Sequence, residues 1–165
     1  MPDFFGGVIV CNTGPVIGLS RAGLGHLLGL LFSRVLLPEA VVEELRAKQT
    51  GDSEQFERTI AHAHIMKPAR PPEPMLLAEL DLGEASVIEL AAEQGIRKVL
   101  LDERRARRVA ATVYGFAVKG TCAVLLEAKF RRLIPRVRPA LDAMIAGGYF
   151  IGPQLMGECL RRASE

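Results

Sequence analysis

Asn12, Glu44, Glu84 and Asp102 are the residues whose types and positions allow them to gather oxygen atoms around a cation. Asn12 ends the apolar run Gly7-Val8-Ile9-Val10-Cys11, and Asp102 ends Lys98-Val99-Leu100-Leu101. Both runs read as short buried strands, and in open parallel sheets ligands bind outside the carboxyl ends of the strands. Glu44 belongs to a helical stretch whose buried face is marked by Val41, Val42 and Leu45. At about 100° of rotation per residue, Glu43 falls about 150° from that face and meets water, whereas Glu44 falls about 105° away, on the flank. Clustered oxygen ligands of this kind suit Mg²⁺ or Mn²⁺, ions that activate water and stabilise in-line phosphoryl displacement.

Three of the four also have a plain structural explanation. Asn12 and Asp102 are each followed at once by a helix, so either can be a cap. Asp81-x-x-Glu84 has the spacing of a capping box. The joint pattern carries more than any member, because all four positions can converge on one cleft.

Arg104, Arg105, Arg107 and Arg108 follow Asp102 on one short helix and are candidates for phosphate contact. Lys129, Arg131, Arg132, Arg136 and Arg138 form a second basic stretch. Phosphate contacts supply affinity without sequence specificity. The alternative is an ordinary solvated face, since Ala106, Val109 and Ala110 mark the buried side of the first of these helices. His62-Ala63-His64 reads as incidental. No GxGxxG or GxxxxGK[ST] loop is present, and no histidine is placed to activate a cysteine.

The elements that must position these residues are legible as alternating short strands and helices. Strands are expected at 7–11, 35–37, 98–101 and 116–118, with a weak edge strand near 64–67. Helices are expected over 16–32 (split near Gly23-Leu24-Gly25), 39–48, 50–61, from 81–84 to about 94, 103–112, 121–131, 138–146 and 153–163. Pro68 to Pro74 holds four prolines and reads as a connecting loop. Short apolar strands between helices predict an α/β fold: a three-layer α/β/α sandwich with a central, mostly parallel sheet. The 165 residues predict a single domain, with a core over about 8–150 and a helical extension over about 151–165.

Net charge is +2, but it is divided. Residues 1–90 carry 7 basic and 12 acidic side chains, a balance of −5, and residues 91–165 carry 14 and 7, a balance of +7. An acidic half beside a basic half suits a metal site next to a phosphate-binding surface. Three widely spaced cysteines predict a reducing cytoplasm rather than a disulfide framework. The longest apolar stretch, Leu24–Phe32, is too short to span a bilayer.

The ordered set Val10-Cys11-Asn12-Thr13-Gly14-Pro15, Val41-Val42-Glu43-Glu44-Leu45, Leu82-Gly83-Glu84-Ala85 and Leu100-Leu101-Asp102-Glu103-Arg104-Arg105 resembles the PIN domain family. Within that family the chain is most similar to small prokaryotic proteins, some of them toxins of toxin–antitoxin pairs. The resemblance implies a metal-dependent endoribonuclease that acts on RNA, uses Mg²⁺ or Mn²⁺, and often forms a homodimer, with a small antitoxin protein as a possible partner. It implies acidic ligands at four places, which fall here on Asn12, Glu44, Glu84 and Asp102, with Thr13 and Glu103 as auxiliary residues. One departure stands out. The family usually has Asp where this chain has Asn12, and an amide oxygen brings no negative charge. A catalytically silent RNA- or protein-binding module is therefore the alternative.

Overall fold

A computed structural model describes residues 3–48 and 53–165. Five strands form one sheet: β1 (Val8–Cys11), β2 (Arg34–Pro38), β3 (His64–Met66), β4 (Lys98–Leu100) and β5 (Ala117–Lys119). Every pairing is parallel, and the order is β3-β2-β1-β4-β5. Ile9, Val10 and Cys11 of β1 are fully buried, which is why the central strand shows no polar alternation.

The helices are α1 (Thr13–Arg21), α2 (Leu27–Leu31), α3 (Glu39–Ala47), α4 (Ser53–Ala61), α5 (Pro74–Glu79), α6 (Leu82–Glu93), α7 (Arg104–Thr112), α8 (Thr121–Phe130), α9 (Arg138–Ala146) and α10 (Pro153–Arg162). α6 packs on β1, β2 and β4, beside α3 and α7, and α1 packs among α3, α4, α8 and α9. The start of the helix expected over 50–61 lies outside the described residues. The loop expected over 68–74 ends in a helix that sequence patterning does not reveal. α5 opens with Pro74 in its first turn and buries Leu76, too little to make a periodic signal.

Strand order reverses between β1 and β4, which pair Val10 with Val99 and Cys11 with Leu100. The Asn12 N–H donates to Leu100 O at 3.1 Å, so the two strand-end positions, 12 and 102, flank the switch point of the sheet. Gly23, in the left-handed region at φ 69°, separates α1 from α2. In the Leu-rich stretch Leu27, Leu28, Leu31 and Phe32 are core, and Leu30 is exposed. Among the described residues no helix is long and apolar enough to cross a membrane.

Candidate active site

Asn12 occupies the N-cap position of α1, yet its side chain makes no capping hydrogen bond. The residue is 6% exposed, and its Oδ1 is a buried side-chain oxygen with no hydrogen-bond partner among the described residues. Buried polar atoms are seldom left so, because an unpaired one costs about 1–3 kcal/mol. The capping explanation therefore does not account for this side chain.

Glu44 and Glu84 come to the same place. α6 begins under α3, and Gly83 is the residue over which they meet. A Cβ built on Gly83 would lie 2.7 Å from Glu44 Oε2 and 3.3 Å from Asn12 Oδ1. Glu44 is half-buried on the flank of α3, while Glu43 is exposed, as the helical geometry predicts. Its other oxygen, Oε1, accepts from Lys48 Nζ at 2.6 Å.

Glu84 is buried and completes a capping box: Asp81 N–H donates to Glu84 Oε2 at 3.1 Å, and Glu84 N–H donates to Asp81 Oδ1 at 2.8 Å. Burial pushes the Glu84 carboxyl above the usual range. The bond from the Asp81 backbone opposes that shift, and the nearby charges of Asp81, Glu103 and Glu44 add to it. Glu84 thus caps its helix and also faces an electron-rich cluster.

Asp102 is held differently. Both its oxygens are engaged by donors from later in the chain. Thr121 N–H donates to Oδ1 at 2.7 Å, Thr121 Oγ1 donates to Oδ2 at 2.6 Å, and the Tyr149 hydroxyl also donates to Oδ2. Asp102 does not cap α7, whose N-cap is Glu103. It caps α8 instead, whose first residue is Thr121. Gly14 and Gly120 leave room around it: a Cβ at either would lie 3.0 Å from Oδ2 or 2.5 Å from Oδ1, respectively. Burial, followed by the charge of Asp102, pushes the Tyr149 phenol far up, so it remains a donor.

Asn12, Glu44 and Glu84 are thus brought together around Gly83, with Glu103 and Asp81 close enough to act on Glu84, while Asp102 stands across the switch point in its own hydrogen-bonded frame. Thr13 is buried at the first position of α1. Among the described residues no three His, Cys, Asp or Glu side chains form a ready-made ion cage. The donor set nevertheless fits a hard cation. It offers an unpartnered amide oxygen and carboxylate oxygens, and no neighbouring donor reaches Oδ1 of Asn12.

The two basic stretches separate. Lys129 pairs with Glu165 at 2.8 Å, Arg131 with Glu127 at 2.6 Å and Arg136 with Glu165 at 3.8 Å. None of Arg104, Arg105, Arg107 and Arg108 has a carboxylate partner among the described residues. Arg105 Nη1 reaches the Glu79 carbonyl at 3.4 Å, and Arg107 Nη1 the Leu101 carbonyl at 3.0 Å. Arg104 and Arg107, with Lys119 and Arg162, line a cleft of about 440 Å³ that also includes Asp102 and Gly120. Lys119 and Arg162 lie outside both basic runs of the sequence. Thr121 and Tyr149 were equally hidden, the only local hint being a Gly-Thr pair at the start of α8 and a Gly-Gly turn before Tyr149.

A family model described as PIN domain (DUF3368) matches residues 8–165. The chain is also similar to a solved structure, the crystal structure of PAE2754 from Pyrobaculum aerophilum. Identity is 12%, coverage is 72% of this chain and 87% of that one, and the TM-score is 0.49. No curated protein matches the chain.

Proposed function

This chain belongs to the PIN domain family, whose members are generally nucleases that bind nucleic acid and use divalent metals, and on that premise we propose that it is a Mg²⁺- or Mn²⁺-dependent endoribonuclease. The single observation that carries this reading is the buried, unpartnered Oδ1 of Asn12 beside Glu44 Oε2 and Glu84. A cation there would satisfy an atom that nothing else satisfies.

Asn12, Glu44, Glu84 and Asp102 would hold the ion, with Thr13 and Glu103 as auxiliary residues. When bound, the ion would supply a water of lowered pKa and an offset for charge developing at phosphorus. Asn12 contributes a neutral oxygen and keeps the site one charge poorer than an all-carboxylate set. Glu84 contributes a carboxylate that burial and its acidic neighbours make proton-avid. Arg104, Arg107 and Lys119 would hold the RNA backbone along the cleft that includes Asp102. Their freedom from carboxylate partners supports Arg104 and Arg107 over Lys129 and Arg131 for that role.

The test has two stages. Mn²⁺ calorimetry on the wild type and Asp102→Asn needs no guess at the RNA, and binding that vanishes in the variant is the expected outcome. A mixed pool of single-stranded RNA should then be cut only with metal, and not by Glu44→Gln. Absence of binding at millimolar Mn²⁺ would sink the nuclease reading.

A second reading, a silent RNA- or protein-binding module, is favoured by Asn12 standing where Asp is usual. It predicts that Asn12→Asp creates metal-dependent cleavage absent from the wild type. A toxin role with a small antitoxin partner, cytoplasmic location and homodimer assembly are further parts of the proposal. Light scattering of the purified protein tests the dimer.

A further inference from the structure

Tyr149 reaches Asp102 from 47 residues away, and the chain makes several local concessions to deliver it. Gly148 adopts φ 88°, open to glycine, and the Tyr149 N–H then closes on Met144 O at 2.9 Å to end α9. The ring lies against Gly18 of α1, where a Cβ would stand 3.4 Å from Tyr149 Cζ and 2.7 Å from Met144 Cε. Glycine inside a helix is unfavourable by about 0.5–1 kcal/mol relative to Ala. Its presence at position 18 makes room for this ring.

The hydroxyl so delivered exceeds what the helix cap needs. Thr121 alone gives Asp102 a donor on each oxygen, which suffices to cap α8. Tyr149 adds a second donor to Oδ2. An ionised carboxylate has about four lone-pair sites, two on each oxygen. Oδ2 is therefore filled, and Oδ1 keeps one open. The torsion about Cβ–Cγ of Asp is ordinarily broad, and bonds to both hydroxyls remove that freedom.

We infer that Tyr149 is a positioning residue, fixing the orientation in which the Asp102 carboxylate meets a divalent cation. The inference rests on the reading of Asp102 as a metal ligand. Hydrogen-bond partners that orient a metal ligand are typically worth about 10–100-fold in affinity.

The test compares Mn²⁺ binding by calorimetry in the wild type, Tyr149→Phe and Asp102→Asn, well below the melting temperature of each. Tyr149→Phe should bind about 10-fold or more weakly, and Asp102→Asn should not bind. A hydroxyl with a purely structural role would lower the melting temperature and leave the affinity of the folded protein unmoved. Equal or tighter binding by Tyr149→Phe, with Asp102→Asn inactive, overturns the positioning role and spares the metal site. Unchanged binding by Asp102→Asn removes both. A second measurement keeps the native ring. The chain has two tyrosines and no tryptophan, so Tyr114→Phe leaves Tyr149 as the only strong emitter. Its emission should change on Mg²⁺ titration as the ion draws on the shared carboxylate, and a flat response at saturating Mg²⁺ counts against the inference.

Discussion

Gly83 stands directly against Glu44: a Cβ on it would lie 2.7 Å from Oε2 of that carboxylate. The position is helical and needs no glycine for its backbone, so what glycine provides is the space in which Glu44 and Asn12 approach one another. Gly83→Ala is thus expected to separate stability from binding. Ala is the better helix former by about 0.5–1 kcal/mol, and the clash falls on the mobile end of a Glu side chain, so thermal stability should hold or rise. Mn²⁺ affinity should fall about 10-fold as Glu44 is pushed aside. Calorimetry and melting on the same sample check both, and an unchanged affinity would mean that Glu44 is no ligand.

Asn12→Asp tests the missing charge from the other direction. The new carboxylate would be buried, with no donor on Oδ1 and with Glu44 and Glu84 beside it. Without metal it should cost about 1–3 kcal/mol in urea unfolding, the penalty of an unsatisfied buried group. With Mn²⁺ the sign should reverse, because a ligand that binds only the folded state stabilises it. A variant destabilised equally with and without Mn²⁺ would show that no cation sits at Asn12.

The parts of this site that were legible in the sequence are those set by local rules. Val8–Cys11 is legible because a strand buried on both faces has no polar alternation, and Glu44 is separable from Glu43 because a helix turns by a fixed angle. The capping box of Asp81 and Glu84 follows from spacing alone. The frame around Asp102 was illegible for the converse reason. Thr121 and Tyr149 lie 19 and 47 residues away, and their contacts depend on how α8 and the turn after α9 pack, which no local periodicity encodes. The same holds for Lys119 and Arg162, which join Arg104 and Arg107 only across the fold.

Asp102 has a structural debt that any functional test must respect. Asp102→Ala strands three donors, the Thr121 N–H and the hydroxyls of Thr121 and Tyr149, and removes the cap of α8. The expected cost is about 2–4 kcal/mol, since each buried group left unpaired carries its own penalty. Asp102→Asn keeps an acceptor oxygen and should cost less. Urea unfolding of the two variants checks the order. Equal stability of Asp102→Ala and wild type would mean that the three bonds contribute nothing to the fold.

The phosphate cleft makes a prediction in salt. Arg104 is exposed, Arg107 half-buried and Lys119 half-buried, and all three line the same cleft. Each phosphate contact on a single strand contributes about −0.7 to the slope of log affinity against log salt. Arg104→Ala should therefore flatten the slope for a mixed single-stranded RNA by about that amount and weaken binding uniformly across sequences. Lys129→Ala, whose ammonium is already paired with Glu165, should leave the slope as it was. Fluorescence anisotropy across a salt series measures both, and equal effects of the two variants would remove the cleft from RNA binding.

Glu165 supplies the pH dependence. Its side chain is 6% exposed, and Lys129 Nζ and Val137 N–H donate to Oε1 at 2.8 and 2.7 Å, while Arg138 N–H donates to Oε2 at 3.0 Å. Val137 and Arg138 begin α9, so the carboxylate sits where the helix dipole favours negative charge. Burial alone would raise its pKa, but these donors hold it at about 2 against an ordinary 4.5. The folded value lies below the unfolded one, so the stabilisation is fully present above about pH 4.5 and is lost as pH falls toward 2. Glu165→Gln should melt lower than wild type at pH 7, and the gap should close as pH is taken from 4.5 toward 2. Melting curves at pH 7, 4.5 and 3 decide it: a gap that stays constant over that range would mean that the charge of Glu165 does not hold α9 and α10 together.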